Sequence, residues 1–216
     1  MSGVMVQVDV GPQAVNAGDG AALNVRGGKT GDVIVSELHP RYFEATYRNN
    51  VFSLSVVTAA AVTAYVGAAA GTPQICLYNP VNSGKNAVII SANAANVVAA
   101  SAAGTVTWGL YFGPTAAITQ ATTTAPRSML TLQAAGSVMT GFINAALTSG
   151  TAAVGVIPLG YYYWATAAGA LATSLSLPEV AGQIIIPPGA YAALGGSAAL
   201  TSATWIGGLV WSESPV

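Results

Sequence analysis

Apolar positions recur every second residue through most of residues 51–211, the period of strands whose alternate side chains face a core. "VFSLSVV" sets Phe52, Leu54 and Val56 on one face, and "TVTWGLYFG" does the same with Val106, Trp108, Leu110 and Phe112. "QICLY" runs into the turn-rich "NPVNSGKN" and returns through "AVII"; "GVIPLGYYYW", "GQIII", the turn "PPG", "AYAAL" and "ATWIGGLVW" follow. Counting these runs predicts about eight strands, punctuated by Gly, Pro and Asn at the spacing of an all-β sandwich or jelly roll. The Ala-rich stretches 92–103 and 145–153 leave room for short helices, while their Gly, Thr and Asn content disfavours long ones.

Before residue 49 the pattern changes. "VMVQVDVG" alternates Val4, Val6, Val8 and Val10 and reads as a short strand, whereas "NAGDGAALNVRGGKTGD" is Gly-rich and loop-like. Nine of the thirteen Asp, Glu, Lys and Arg residues lie in residues 1–48; Lys85, Arg127, Glu179 and Glu213 are the other four. This step predicts an extended polar N-terminal arm over residues 1–48 and a β-sandwich, jelly-roll-like body over 49–216. At the join, "HPRYFEATYRNNVF" interleaves His39, Arg41, Glu44 and Arg48 with Tyr42, Phe43, Tyr47 and Phe52. Two readings stand for its residues. His39, Arg41, Tyr42, Glu44, Tyr47 and Arg48 touch a partner or a neighbouring subunit, or Arg and Glu pair on a solvated face while Phe43 and Phe52 anchor the strand in the core. The segment as a whole is read as an interface.

Composition narrows the partners. Charged residues make up 6% of the 216 residues, against roughly 25% in ordinary soluble proteins, and Ala alone supplies 42. A net charge of −1 removes long-range steering toward nucleic acid or anionic lipid, so no nucleic-acid partner is expected. A mean hydropathy of +0.58 invites a membrane reading, and residues 54–71 do run 18 positions without a charge. That run is mostly Ala, Thr, Ser, Gly and Val, weakly apolar and partly β-branched, which suits strands better than a spanning helix. A transmembrane barrel would alternate strongly polar residues toward its lumen, so no membrane association is expected either. No basic n-region precedes an apolar h-region, since the first basic residue is Arg26; synthesis and retention in a cytoplasm are expected.

The sequence holds no recognisable catalytic set. A serine or cysteine nucleophile needs a base, and His39, followed by Pro40, is the only histidine. One His, one Cys and seven scattered carboxylates have no ligand spacing, so neither a metal site nor a cofactor is expected. Glu179 and Glu213 could supply a glycosidase pair by arithmetic alone, yet each is a lone carboxylate beside Pro or Ser. Cys76, in "QICLY", forms no disulfide within the chain and is expected to fill a strand core. "NPVNSGKN" and "LNVRGGKT" imitate phosphate loops, but the first glycine of that pattern is Asn79 in one and Leu23 in the other, and both read as turns. The cluster Tyr161, Tyr162, Tyr163 and Trp164, with Trp108, Trp205 and Trp211, could form a sugar-binding platform or serve as core and interface anchors.

A body covered with small neutral side chains has no charge to oppose self-association, and such surfaces persist when buried in closed symmetric oligomers. The combination of "HPRYFEATYRNNVF" after a Gly-rich arm, "LYNPVNSGKNAVII", "IIIPPGAYAAL" and "GGLVWSESPV" resembles small structural proteins of tailed bacteriophages, nearest the capsid decoration or cement proteins. The similarity spans most of the chain after about residue 30. The resemblance implies a non-enzymatic homotrimer of β-sandwich subunits, made in the host cytoplasm, that sits on the outer capsid of the virion and clamps neighbouring subunits of the major capsid protein. The alternative is a fibre-tip module that binds a receptor or carbohydrate through the aromatic cluster. On the decoration reading, Arg41 and Arg48 are expected to matter more for attachment than Lys85 and Arg127.

Overall fold

The computed structural model describes residues 8–9, 25–26, 41–62, 70–71, 73, 75–98, 106–112, 122–134, 136–143, 147–148, 155–158, 174–176, 180–196 and 200–216. The chain divides into two compact units, Met1–Glu44 and Ala45–Val216. In the first, β1 (Val8–Asp9) and β2 (Val25–Arg26) pair in parallel, Val8 opposite Val25.

Apolar alternation makes the second unit all-β. After the short helix α1 (Phe43–Tyr47), the only helix among the described residues, come β3 (Val51–Val62), β4 (Ala70–Gly71), β5 (Ile75–Tyr78), β6 (Lys85–Val98) and β7 (Val106–Phe112). Then follow β8 (Thr122–Thr124), β9 (Arg127–Ser128), β10 (Thr140–Ile143), β11 (Leu147–Thr148) and β12 (Gly155–Pro158). The chain closes with β13 (Ser174–Ser176), β14 (Ile184–Ile186), β15 (Ala190–Gly196) and β16 (Leu200–Pro215). One sheet, sheet I, runs in the order β12-β7-β15-β5-β10-β8, and sheet II runs β13-β6-β16-β3-β9 with β14 also on β6; β4 and β11 form a separate pair. Every described pairing in this unit is antiparallel. The Ala-rich stretch expected to admit helix is extended from Ala92 to Val98, inside β6, and Leu147–Thr148 is a strand.

Both sheets contribute to one core. Phe52, Leu54 and Val56 of β3 cluster with Ile75 and Leu77 of β5, as the period of two predicts. Trp108, Trp205 and Trp211 are fully buried in the same cluster, where each large ring removes much apolar surface from water. Trp108 Nε1 also donates to the Asn93 carbonyl at 3.3 Å, tying β7 to β6.

Sheet I departs from simple alternation. Its other face carries a second buried cluster of Cys76, Tyr111, Phe142, Tyr191 and Ala193, with Tyr78 packed against it. Tyr111 and Tyr191 stack with ring centroids 4.8 Å apart and planes 11° apart. Gly109 permits this, because a Cβ there would collide with the Tyr111 ring lying across it. Phe112, expected to face the core with Trp108, is instead largely exposed, and its neighbour Tyr111 is buried. The expected solvent face of β7 is itself apolar and covered, so the alternation does not separate inside from outside. Cys76 is buried as expected, in this second cluster; desolvation raises its thiol pKa, and the Tyr111 phenol is raised chiefly by the same cause, then by Tyr191 and Cys76.

Candidate interaction surface

Strand register gathers the described charged residues of the second unit, Arg48, Lys85, Arg127 and Glu213, at one end. Val51 lies opposite Ser212 and Lys85 opposite Pro215 in sheet II; Tyr78 lies opposite Tyr191 and Phe112 opposite Ala190 in sheet I. The segments that leave the strands at the opposite end, 63–74, 99–105, 144–154, 159–173 and 197–199, contain no Asp, Glu, Lys or Arg.

Two of the sequence motifs meet here. Asn79 of "LYNPVNSGKN" is fully buried, and its Nδ2 donates to the carbonyls of Lys85 at 2.8 Å and of Ile186 at 2.9 Å. Its backbone N–H donates to Ala190 O at 3.0 Å, and its carbonyl accepts from Gly189 N at 2.8 Å, so it grips "IIIPPGAY" on both sides of the turn. Gly189 takes φ +86°, where a side chain would be strained. The phosphate-loop imitation in this motif is therefore a turn, as its leading Asn79 implied.

The helix end sets up the neighbouring loop. Asn50 N donates to Ala45 O and Asn49 N to Thr46 O, each at 2.9 Å, the two bonds of a Schellman cap. Asn49 occupies the left-handed position of that cap with φ 58°. Its Oδ1 accepts a short hydrogen bond from the Ser128 hydroxyl, which in turn accepts from Leu130 N at 3.1 Å and Thr131 N at 3.2 Å. Ser128 N donates to Gln133 O, Leu132 N to Ser128 O and Met129 N to Val51 O, all at 2.9 Å. Arg127 Nη1 closes the loop on Leu132 O at 3.1 Å. Around Ser128 the chain thus folds into a compact loop held by hydrogen bonds of its own and by the one from Met129 to Val51.

The rest of the loop hangs on Glu213. Its Oε1 accepts from Ser137 Oγ at 2.6 Å and Val138 N at 3.2 Å, while Lys85 Nζ approaches Oε2 at 3.1 Å. Its own N–H donates to Asn50 O at 2.8 Å. The Glu213 side chain is sealed from solvent and Lys85 is 32% exposed, so this carboxylate is committed to holding the loop. Glu179, its arithmetic partner in a glycosidase pair, lies outside the described residues.

What this end presents is apolar and cationic. Tyr47, Leu132, Val81 and Phe112 are exposed by 64–67%, and Met129, Leu130 and Val138 are partly exposed beside them in sequence. Arg48 and Arg127 are exposed. A cleft of about 330 Å³ runs behind the loop, lined by Pro126, Ala134, Gly136, Ser137, Met139 and Gly141 among others.

Of the residues expected at an interface, Arg41, Tyr47 and Arg48 are exposed and Tyr42 is half-buried. Glu44 lies in α1 with its side chain outside the described residues, as are His39 and the cluster Tyr161, Tyr162, Tyr163 and Trp164. Phe52 anchors β3 in the core, whereas Phe43 is 38% exposed. The sequence singled out Arg127 only as a residue of the body, and the loop 129–139 not at all. The available signal was "RSMLTLQAAGS", where apolar side chains appear without a strand period. Arg127, expected to stand apart from Arg48, is carried by Ser128 to the helix cap.

Among the described residues no group of three His, Cys, Asp or Glu side chains could hold a metal ion, and no helix is long and apolar enough to cross a membrane. Comparison with protein-family models, curated proteins and solved structures finds no match to this chain.

Proposed function

We propose that this chain is a non-enzymatic virion structural protein that binds the outer capsid and stabilises contacts between major capsid subunits. Its body is a jelly-roll sandwich that acts as a homotrimer. The observation that supports this reading most is the strand pairing. Taking β3, β5, β6, β7, β12, β14, β15 and β16 as first to eighth, the first pairs with the eighth, the second with the seventh, the third with the sixth and the fourth with the fifth. That is a long hairpin wound on itself, with the sheets closed by the third strand on the eighth and the fourth on the seventh. Jelly rolls built this way recur in capsid and lectin domains, so the architecture favours a shell or a binding module and leaves the choice to the surface.

The surface favours the shell component. One end carries Arg48, Arg127, the Lys85–Glu213 pair and the start of the unit, while the segments leaving the other end are uncharged. A protein that attaches at one end and associates with its copies through neutral sides needs that division. The fibre-tip alternative would use the aromatic cluster Tyr161–Trp164 for a receptor or glycan.

Copy number and attachment test the proposal together. Gel densitometry of purified particles is expected to show this chain at a number comparable with the major capsid protein. Protein lacking residues 1–38 is expected to keep its oligomer and to co-sediment with decoration-free capsids much more weakly than the full chain. A copy number set by fibres, or glycan binding retained by the body, would replace the cement reading with the alternative.

A further inference from the structure

The segment between β9 and β10 is closed onto the sandwich with almost no apolar footing of its own. From Met129 to Ala134 every residue is exposed, as are Gly136 and Val138; Met129, Leu130, Leu132 and Val138 are 36–66% exposed. Burial of apolar side chains, which fixes most segments of a fold, therefore contributes little between Ser128 and Met139. What closes the segment is polar and sits at two points. At its start the Ser128 hydroxyl accepts from Leu130 N and Thr131 N and donates to Asn49 Oδ1. At its end Glu213 Oε1 accepts from Ser137 Oγ at 2.6 Å and Val138 N at 3.2 Å, and Ser137 Oγ accepts in turn from Met139 N at 3.1 Å. The Glu213 side chain has no solvent exposure, so water does not compete for the bonds it accepts. It stands on β16, the longest of the described strands, which is paired on one side by β3 and on the other by β6.

We propose that residues 129–138 form a strap that opens from the sandwich as one unit, and that the Glu213 carboxylate is the latch that keeps it shut. Opening breaks the bonds at Ser137 and Val138 and leaves the pairing of β10 intact, since that strand begins at Thr140. The carboxylate is not stranded by it. Lys85, 3.1 Å from Oε2 and partly exposed, belongs to β6 and stays with Glu213 when the strap leaves, so no buried charge loses its only partner. What the strap covers is one end of the core. Gly136 rests on Phe52, because a Cβ there would come 3.6 Å from the Phe52 ring and 3.1 Å from the Asn49 amide nitrogen. With the strap open, Phe52 loses that cover, and the cleft of about 330 Å³ lined by Gly136, Ser137 and Met139 opens toward the Phe52 ring, which lies 6.2 Å from Trp211.

Amide hydrogen exchange on the full-length chain tests this, with the wild type beside Ser137→Ala, Glu213→Gln and Asn79→Ala. In the wild type the amides of Leu132, Val138 and Met139 are expected to exchange through an opening that leaves the β6 and β16 amides protected. Ser137→Ala removes one bond to the carboxylate and the acceptor for Met139 N. It is expected to speed exchange across residues 129–139 by at least about tenfold, with β6 and β16 unchanged. Glu213→Gln removes the charge from the latch and is expected to speed exchange in the same residues; should it fail to fold, Ser137→Ala decides alone. Asn79→Ala loosens turns outside the strap and is expected to do the reverse, lowering protection in β6 and β16 while the strap exchanges as in the wild type. Equal acceleration of the strap and of β6 and β16 in Ser137→Ala shows that they open only together and overturns the proposal. Unchanged exchange in both latch variants overturns it as well, because the strap is then held by something other than Glu213.

Discussion

Cys76 illustrates how a single side chain reports on the sheet around it. The thiol is fully buried between Tyr111, Tyr191 and Phe142, where a thiolate would be poorly solvated, and burial raises its pKa. The sign of the pH effect follows from this. Below the ordinary thiol value near about 8.5, folded and unfolded chains both hold the proton and stability is unaffected. Above it the unfolded chain releases a proton that the folded chain keeps, so stability falls as pH rises toward the folded value. The unfolding free energy from denaturant titration is expected to drop between about pH 8 and pH 10, by up to about 1.4 kcal/mol per pH unit above the thiol's ordinary value. Cys76→Ala should flatten that slope whatever it does to the midpoint at neutral pH, leaving Tyr111 to act from about pH 10 upward. A slope unchanged by the substitution would show that the thiol is solvated in the folded chain.

Among elements, Asn79 joins two of the turns that carry the chain between the sheets. The chain passes from sheet I to sheet II between β5 and β6, and from sheet II back to sheet I between β14 and β15. Asn79 bonds both crossings through Lys85 O, Ile186 O, Ala190 O and Gly189 N. Alanine at this position would leave two carbonyls without their donor, one of those bonds being buried. Asn79→Ala is expected to cost about 2 kcal/mol of unfolding free energy with little change in the urea m-value. A loss under about 0.5 kcal/mol would mean that water or the backbone holds the turns without the side chain. The loop from Met129 to Met139 depends in the same way on Ser128 and Glu213, two buried polar residues with hydrogen-bonded partners.

For the whole molecule, the distribution of charge carries the argument. With 6% charged residues, most of them outside the β-rich unit, little opposes contact between copies of the body. Neutral small side chains also lose little rotamer freedom when covered. The full chain is therefore expected to form a closed oligomer, a trimer at three times the 21.5 kDa chain mass, in light scattering. A stable monomer at micromolar concentration would remove this reason for treating the neutral sides as subunit contacts.

The eight runs picked out by apolar alternation lie in or overlap β3, β5, β6, β7, β12, β14, β15 and β16, because alternation is a local property of a strand with one face in a core. The sequence also determined the charge step and the turn at "NPVNSG", since composition and Gly or Pro punctuation need no distant partner. Tertiary structure alone decided which strands pair, since alternation marks a face and carries no information about the neighbour that will cover it. For that reason Tyr111 is buried on the supposed outer face of sheet I, while Phe112, the last residue of β7, is exposed. The candidate surface belongs to the same class. Ser128 and Asn49 are 79 residues apart, and the pairing of β9 with β3 brings Arg127 and its loop to the helix cap that Asn49 and Asn50 close.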